Sequence, residues 1–479
     1  MKYLLVVATL LLASPAAAQD RPDEADLFGG GGPIVPDEEV RDDAIFGEEG
    51  TGEVKENRAL LDDDRLQIGG MLYMRFMAGF LQDQSGEKDR WSTLSNPNLL
   101  DVYLDGRPND RIRAFVRGRL SYDPVSGFPP SYMEGYQEAK TMAEAMGEEV
   151  PALPDLNEPG ATLDQLWLKF DVARRVWLTI GKAPVRWGAT RLWNPADIIN
   201  ATRRDPLAFF DQRGGVPMIK VHVPIESLGW NVYLLGLMDQ ARTVEGLGGA
   251  ARLEMVFSTM EVGLSATARK DRDVLTALDF SAGVWDLDIT GEVGLTALTQ
   301  SKELRPGVLH DDLHLQASLG LSYGIRYGDE DTLYIGGEYF FNPDQWTDWQ
   351  DYSAAFSAGL AGIEGSAPYR PFYLGRHYGA LFLSLPAPGS WDDVMFNLTG
   401  MGNFTDMSFL ARFDTSITVL TYLTIQAYIQ GHMGRKGGEF RFGFDEIPFT
   451  DPATGLSMTL PIAYPYQLVD VGMNLRVNF

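Results

Sequence analysis

The sequence predicts an all-β protein, a single antiparallel transmembrane β-barrel of about 18 strands (roughly 16 to 18) with long extracellular loops. Three observations predict this fold. Apolar and polar residues alternate with a period of two from Leu66 to Phe479, as in strands that have one face in lipid. Many of these segments exceed the roughly five or six residues that are usual for a strand. Short turns and long loops alternate between them, which is typical of a barrel that opens on one side of a membrane.

The first 18 residues have the three parts of a secretory signal peptide. Lys2 precedes an apolar run from Leu4 to Leu12, and small residues follow at Ala16 and Ala18. This run is about half of the roughly 20 apolar residues that a membrane-spanning helix needs. We therefore expect cleavage after Ala18 and export of the mature chain to the bacterial outer membrane.

An acidic segment at residues 19–65 separates the signal peptide from the first strand. Residues 20–64 hold 16 acidic and 4 basic residues, a net charge of −12 out of the −26 of the whole chain. Such a segment buries too little apolar surface to fold alone. We expect a flexible periplasmic tail that is a spacer, a docking segment for a periplasmic partner, or a weak plug of the lumen.

Composition excludes several classes of protein and of site. The chain has no cysteine, which excludes structural disulfides, thiolate metal sites and a lipoprotein anchor. Its 66 acidic and 40 basic residues disfavour nucleic acid as a partner. Its five histidines lie outside the sequence contexts of hydrolases and metalloproteases, and His310 and His314 could bind a metal only weakly. We expect no enzyme activity, no cofactor and no metal site.

Turn positions divide residues 66–479 into 18 strands of one barrel domain. The predicted strands are 66–80, 98–105, 111–122, 162–172, 175–187, 215–224, 229–239, 248–257, 260–270, 273–283, 285–299, 312–327, 331–342, 371–386, 392–404, 406–418, 420–432 and 466–479. The short connections fall at one end of the barrel and the long ones at the other. A helix is expected inside one long loop, where residues 131–149 have helical composition.

The polar member of each alternating pair is expected to face the lumen, because a continuous apolar face has to point into lipid. Eighteen strands enclose more space than side chains fill, so a water-filled channel is the default. The residues predicted to line this pore are Arg75, Arg111, Arg113, Arg117, Arg119, Lys169, Lys220, Arg326, Arg412, Asp279, Asp288 and Glu292. Arginines cluster on the third strand and acids on the tenth and eleventh, so a basic wall is expected to face an acidic wall across the pore.

Residues 188–214 form a loop with too many aromatic residues for a solvated tether. We expect this loop to fold inward and narrow the pore. Its candidate constriction residues are Trp193, Asp197, Arg203, Arg204, Asp205 and Arg213.

The same region carries a resemblance to known barrels. The order of motifs is Trp187-Gly188, then Trp193-Asn194-Pro195-x-Asp197, then Asp205-Pro206, then Gly215-Val216-Pro217. This order resembles porin-like outer-membrane barrels and, more distantly, the alginate-export family of eighteen-stranded barrels, mainly over residues 180–220. The resemblance implies a conduit for an anionic polysaccharide, lined by the four arginines of the third strand. The predicted acidic wall does not fit this implication, because acidic residues in the lumen disfavour a purely anion-selective path.

The last strand carries a predicted membrane-assembly signal. Leu475, Val477 and Phe479 continue one apolar face to an aromatic final residue. This pattern resembles the C-terminal strand that the outer-membrane barrel assembly machinery recognises. We therefore expect that machinery and outer-membrane lipid as partners.

Three functions are compatible with these patterns. The first is a channel for small polar or charged solutes, the second a dedicated exporter of an anionic polysaccharide, and the third a structural outer-membrane protein with a closed pore. The first two predict ion conduction, whereas the third predicts none.

Overall fold

The computed structural model describes residues 65–82, 89–146, 153, 155–200, 202–239, 241–270, 274–297, 313–327, 331–343, 352, 353, 356, 371–450 and 457–479. The predicted signal peptide, residues 1–18, and nearly all of the predicted acidic tail, residues 19–65, lie outside these described residues. His310 also lies outside them.

Strands make up most of the described chain. Their bounds are β1 Leu66–Gln82, β2 Asp89–Ser95, β3 Asn98–Asn109, β4 Ile112–Tyr122, β5 Gly160–Val172, β6 Val176–Ala183, β7 Val216–Ile225, β8 Trp230–Leu237, β9 Gly248–Phe257, β10 Met260–Ala268, β11 Val274–Val284, β12 Leu287–Ala297, β13 Leu313–Tyr327, β14 Asp331–Phe341, β15 His377–Pro386, β16 Val394–Asn403, β17 Ser408–Val419, β18 Leu423–Gly434, β19 Ile447–Thr450, β20 Ser457–Leu460 and β21 Tyr466–Asn478. Helix α1 spans Pro130–Met146 in the loop where a helix was expected. No helix in the described part of the chain is both long and apolar enough to cross a bilayer.

The strands close into an antiparallel barrel of 18 strands, which confirms the predicted fold. The sheet closes because β1 pairs with the last strand, β21, with Tyr73 opposite Arg476. Segments β2 and β3 both pair with β1, β2 along its second half and β3 along its first half, so together they form one barrel strand. Pro97 lies in the gap between them, where a residue without an N–H cannot continue the ladder. The side-chain amide of Asn96 donates instead to the backbone oxygen of Arg75 at 2.6 Å.

The two faces of the barrel differ as the alternation predicts. On β4, Ile112 and Leu120 are exposed on the outside, while Phe115 and Arg117 are buried on the inside. Leu381 on β15 is 72% exposed, the kind of apolar surface that only lipid can cover at low free-energy cost. The outer surface is therefore the surface that would face a membrane.

The two ends of the barrel differ in their connections. At the short-turn end, Ala173 and Arg174 both have positive φ, as in a tight type I′ hairpin turn. At the long-loop end, α1 packs with Tyr352, Phe356 and segments around residues 442–447 and 460–464 into an apolar cluster, here called the dome. Gly135 of α1 lies so close to this cluster that a Cβ there would be 2.6 Å from the Cα of Ile462. The dome therefore ties three long loops together.

Two predicted strands are shorter than expected by four or more residues at one end. The strand predicted at 371–386 begins only at His377, because Phe372 has a φ of +71°, which a strand does not adopt. The alternation predicted a strand at 175–187, but β6 ends at Ala183. Proline follows at position 184, and Gly188 has a φ of +110°, so neither residue continues a strand ladder. From here the chain leaves the wall as a loop and rejoins it at β7.

Candidate functional site

The segment between β6 and β7, residues 184–215, crosses the inside of the barrel and is here called the constriction loop. Its residues Val185, Trp187, Ile198 and Ile199 pack against buried side chains of β4 to β11. The loop has no strand or helix of its own among its described residues, so its position depends on side-chain packing and on hydrogen bonds to the wall.

Trp193 attaches the constriction loop to a second part of the wall. Its side chain is fully buried and stacks on Phe340 of β14, with ring centroids 5.6 Å apart and an angle of 10° between the planes. It also lies against Tyr378 of β15, and its indole N–H donates to the backbone oxygen of Phe372 at 3.0 Å. The apolar contact and the hydrogen bond together fix this part of the loop.

Two phenylalanines attach the loop to a third part of the wall. Phe210 lies edge-on to Tyr73 of β1 with centroids 5.0 Å apart, and Phe209 stacks on the same ring at 6.4 Å. Arg476 of β21 lies over Phe209 at 5.1 Å. Phe209, Phe210 and Tyr73 were not among the predicted site residues, although the aromatic content of the loop was the available signal.

Ion pairs hold the two ends of the constriction loop together. Arg213 binds Asp211 at 2.8 Å and Asp197 at 2.6 Å, and Arg186 binds Asp211 at 3.3 Å. Burial raises the pKa of Asp211, but the hydrogen bonds from Arg213 and the charge of Arg186 outweigh burial and lower this pKa to about 2. Asp211 is therefore ionised at neutral pH, and its charge is matched within the loop.

Four arginines, here called the arginine ladder, lie on the inner face of the barrel: Arg111 in the turn just before β4, and Arg113, Arg117 and Arg119 on β4. Each forms an ion pair with an aspartate of β3 or β5. The pairs are Arg111 with Asp171 (2.7 Å), Arg113 with Asp105 (3.0 Å), Arg119 with Asp101 (2.7 Å) and Arg117 with Asp164. Acids on the two neighbouring strands therefore compensate the ladder locally.

The predicted acidic residues also have partners in the barrel or on the constriction loop. Asp279 of β11 binds Arg252 of β9 at 2.6 Å, and Arg252 binds Glu254 as well. Glu292 of β12 is fully buried and accepts hydrogen bonds from the constriction loop, among them one from the backbone N–H of Thr190 at 2.6 Å. Asp288 lies near the short-turn end of β12, opposite Ser322 of β13.

Three arginines differ from the ladder and are here called the constriction arginines: Arg75 of β1, and Arg203 and Arg204 of the loop. Arg75 donates to the backbone oxygen of Pro97, and Arg204 to that of Arg191. Arg203 donates to the side-chain oxygen of Gln316 at 3.1 Å. Within the described chain, none of the three forms an ion pair with a carboxylate.

The constriction arginines line one cavity. It has a volume of about 560 Å³ and lies between Arg75 and the loop, with Arg213, Asp205 and Asp239 also in its lining. Of these acids, Asp239 binds Arg269 at 3.3 Å, and Asp205 accepts the backbone N–H of Leu207 at 2.9 Å. Asp211 also lines the cavity and binds Arg213 and Arg186. The lining thus holds four arginines and three aspartates, and three of these arginines have no paired carboxylate among the described residues.

The remaining predicted residues lie elsewhere on the inner wall or at its ends. Lys169 lies over the ring of Trp177 at 5.2 Å, and Lys220 is buried on β7. Arg412 binds Asp414 at 2.7 Å and lies over Tyr428. Arg326 is exposed near the short-turn end of β13.

The residues of the predicted assembly signal lie on β21 and just after it. Leu475 and Val477 pair with Met74 and Leu72 of β1, and Phe479 is 57% exposed. Their recognition by assembly machinery stays a prediction.

Comparison with known proteins finds likeness only among solved structures. No protein-family model matches the chain, and no curated protein matches it. A BenF-like porin from Pseudomonas fluorescens Pf-5 matches with 10% identity and a TM-score of 0.50, covering 87% of this chain and 99% of that chain. OccK5 (OpdH) of Pseudomonas aeruginosa matches with 9% identity and a TM-score of 0.48, over 87% of this chain and 99% of that chain. The chain therefore has the fold of a porin-like outer-membrane barrel.

Metal binding has no support in the described residues. They contain no group of three or more His, Asp or Glu side chains that could hold a metal ion. His314 is buried on β13.

Proposed function

We propose that the protein is a channel of the bacterial outer membrane that passes small polar or charged solutes and prefers anions. In this proposal a cleavable signal peptide directs export, and assembly machinery inserts the barrel into outer-membrane lipid through its last strand. The proposal includes no catalytic activity. One observation carries it: the constriction loop leaves a cavity inside the barrel that is lined by three arginines without an ion pair.

The preference for anions follows from charge in a confined space. A guanidinium stays charged at any physiological pH, and its field is stronger beside low-dielectric walls than in open water. The charge of the arginine ladder is opposed by aspartates 2.7 to 3.0 Å away, whereas that of the constriction arginines is not. The field at the narrow part of the lumen is therefore positive, which raises the local concentration of anions.

The size of the cavity favours small solutes. Its volume of about 560 Å³ falls inside the range of roughly 300–1,000 Å³ that is typical of small-molecule sites. A polymer would need a continuous path past a loop that contacts three parts of the wall. This contact, together with the paired ladder, argues against the exporter of an anionic polysaccharide.

In this proposal the predicted basic and acidic walls contribute less to ion preference than the constriction arginines do. Both Asp279 and the arginines of β4 have partners of opposite charge within hydrogen-bonding distance. A field between two such walls is weaker than one between unpaired charges. We therefore assign ion preference to the constriction arginines rather than to the two walls.

A structural protein with a closed pore is the second candidate. The dome favours it, because an apolar cluster at the long-loop end is suited to covering the mouth. Ion conduction separates the two functions.

The test is single-channel recording of the purified protein in a planar bilayer under a KCl gradient. We expect discrete conductance steps and a reversal potential that indicates anion preference. Arg203→Glu with Arg204→Glu should shift the reversal potential toward cation preference, because two charges change sign beside the cavity. Arg175→Glu, an exposed change in a short turn, is the matched control and should leave the reversal potential unchanged.

Two results would contradict the proposal. Absence of conductance from correctly folded protein would support the closed structural barrel. Conductance with the same reversal potential in the wild type and the double variant would show that these arginines do not set ion preference.

A further inference from the structure

We propose that Glu292 and Glu338 are the positioning residues of the pore: their carboxylates fix the constriction loop across the lumen and thereby set the width of the channel. This inference rests on the proposed channel function and assigns a role to two acids of the wall. Glu292 lies on β12 and Glu338 on β14, and both side chains are buried.

Glu292 binds both ends of a short segment of the loop. One carboxylate oxygen accepts the backbone N–H of Thr190 at 2.6 Å, the hydroxyl of the same residue at 2.7 Å and the amide of Asn194 at 3.2 Å. The other oxygen accepts the backbone N–H of Ala196 at 2.8 Å. Every one of these donors belongs to the constriction loop.

Gly188 allows this close approach. A Cβ at position 188 would lie 2.5 Å from a carboxylate oxygen of Glu292, and the residue has a φ of +110°. Any other residue there would be strained in its backbone and would collide with the carboxylate. A glycine at position 188 is therefore needed for the carboxylate of Glu292 to approach the loop this closely.

Glu338 binds the middle of the same segment. Its carboxylate accepts three consecutive backbone N–H groups, and these belong to Arg191 (3.0 Å), Leu192 (3.0 Å) and Trp193 (2.8 Å). Ser318 of β13 donates its hydroxyl to the same carboxylate at 3.0 Å. Successive N–H groups that converge on one anion form a nest, a backbone geometry suited to a full negative charge.

The two carboxylates replace the backbone partners that secondary structure would provide. A buried backbone N–H needs an acceptor, and this segment has neither helix nor strand. Five of its N–H groups, between residues 190 and 196, bind Glu292 or Glu338. Among the described residues, no basic side chain forms an ion pair with either carboxylate, so the loop is their main partner.

The positions of Glu292 and Glu338 in the barrel determine what their hydrogen bonds do to the loop. The loop leaves the wall after β6, the fifth of the 18 barrel strands, and the two acids lie on the eleventh and thirteenth. They are thus on roughly the opposite wall. Without them the loop would keep its packing near β6 and β7 and the stacking of Trp193 on Phe340, but its backbone between residues 190 and 196 would lose its hydrogen bonds to the opposite wall.

The test replaces each acid by its amide. In Glu292→Gln and Glu338→Gln the new NH₂ group faces N–H donors, so at least one hydrogen bond is lost and another turns into a repulsive contact. Asp414→Asn is the matched control, because Asp414 is a buried carboxylate on β17 that binds Arg412 and Gln426, both on the wall, and contacts no residue of the loop. Each variant is first checked for barrel folding by heat-modifiable migration on a gel.

Trypsin cleavage after Arg203 or Arg204 measures release of the loop without relying on channel function. We expect about tenfold faster cleavage in each glutamine variant than in the wild type, with the control at the wild-type rate. Gly188→Ala keeps both carboxylates but pushes the loop away from Glu292, and it should also accelerate cleavage. Single-channel conductance should rise in the same variants.

The two proposals can fail separately. Faster cleavage of the glutamine variants with no conductance from any protein would support the positioning role and contradict the channel. Conductance from the wild type, with cleavage and conductance unchanged in both glutamine variants and in Gly188→Ala, would support the channel and overturn the positioning role.

Discussion

Two groups of arginines inside one barrel have opposite electrostatic surroundings. The arginine ladder lies on β4 and in the turn just before it, between strands that place an aspartate beside each guanidinium. Two of the three constriction arginines lie on a loop, where no neighbouring strand supplies acids at a fixed register. The neighbours of a charge, rather than its presence in the lumen, therefore decide whether it stabilises the wall or acts on a solute.

The largest expected difference concerns stability. Arg117 is buried, and its loss leaves Asp164 with only the longer contact of 3.6 Å to Arg119, so Arg117→Gln should lower the free energy of unfolding by about 3 kcal/mol. Arg111→Gln is the matched change at a pair whose arginine is half exposed, and its effect should be smaller because water can reach this arginine. The unfolding midpoint in denaturant, followed by heat-modifiable migration, measures both. If the two variants were equally stable, the proposed structural role of the ladder would be contradicted.

Features that depend on residues close together in the sequence could be predicted, whereas contacts between residues far apart in the sequence could not. Alternation and turn residues are local, so the strands, their inner and outer faces and helix α1 could be predicted from the sequence. The inward loop was predictable from Trp193 and its other aromatic residues. The partners of the ladder were not, because the pairing of Arg117 with Asp164 depends on the register between β4 and β5, which the long loop between them does not fix.

The same limit applies to the acids. Glu292 was expected to contribute to an acidic wall, but its position opposite the loop makes it an acceptor for backbone N–H groups. Its partner Thr190 lies 102 residues away in the sequence. No local pattern indicates a contact of that range, whereas the break of the alternation at Pro184 was a visible sign that the strand ends there.

A smaller effect is expected from salt, which should weaken the field of the constriction arginines more than the buried ion pairs of the ladder. The Debye length falls from about 10 Å at 0.1 M to about 3 Å at 1 M, so the field of unpaired arginines beside a water-filled cavity weakens. Anion preference, measured as the permeability ratio of chloride to potassium, should fall toward one over this range. The midpoint of unfolding should change little, because buried pairs such as Arg117 with Asp164 are screened less. A permeability ratio that is independent of salt would contradict the assignment.

The smallest effect concerns pH and the loop that follows β18, in which Glu439 lies. Burial raises the pKa of Glu439 to about 8, the hydrogen bonds from Tyr378 and Asn403 oppose the rise, and Asp406 adds to it. The folded chain then holds a proton that the unfolded chain releases above about pH 4.5, so stability of this loop falls as pH rises from there through about 8. Arg435 is the basic residue whose charge acts on Asp406.

Trypsin cleavage after Arg435 or Lys436 tests this dependence. With rates normalised to a peptide substrate at each pH, cleavage should be faster at about pH 9 than at about pH 7. Glu439→Gln, which cannot titrate, should remove most of the difference. The same pH dependence in the variant would assign it to another group.

The most direct measurement is a comparison of reversal potentials between two double variants with the same change of charge. Arg203→Gln with Arg204→Gln neutralises two constriction arginines, and Arg111→Gln with Arg113→Gln neutralises two members of the ladder. In a KCl gradient across a planar bilayer, we expect the first variant to lose most of its anion preference and the second to keep the wild-type value. Loss of anion preference in the ladder variant, with the constriction variant unchanged, would contradict the account.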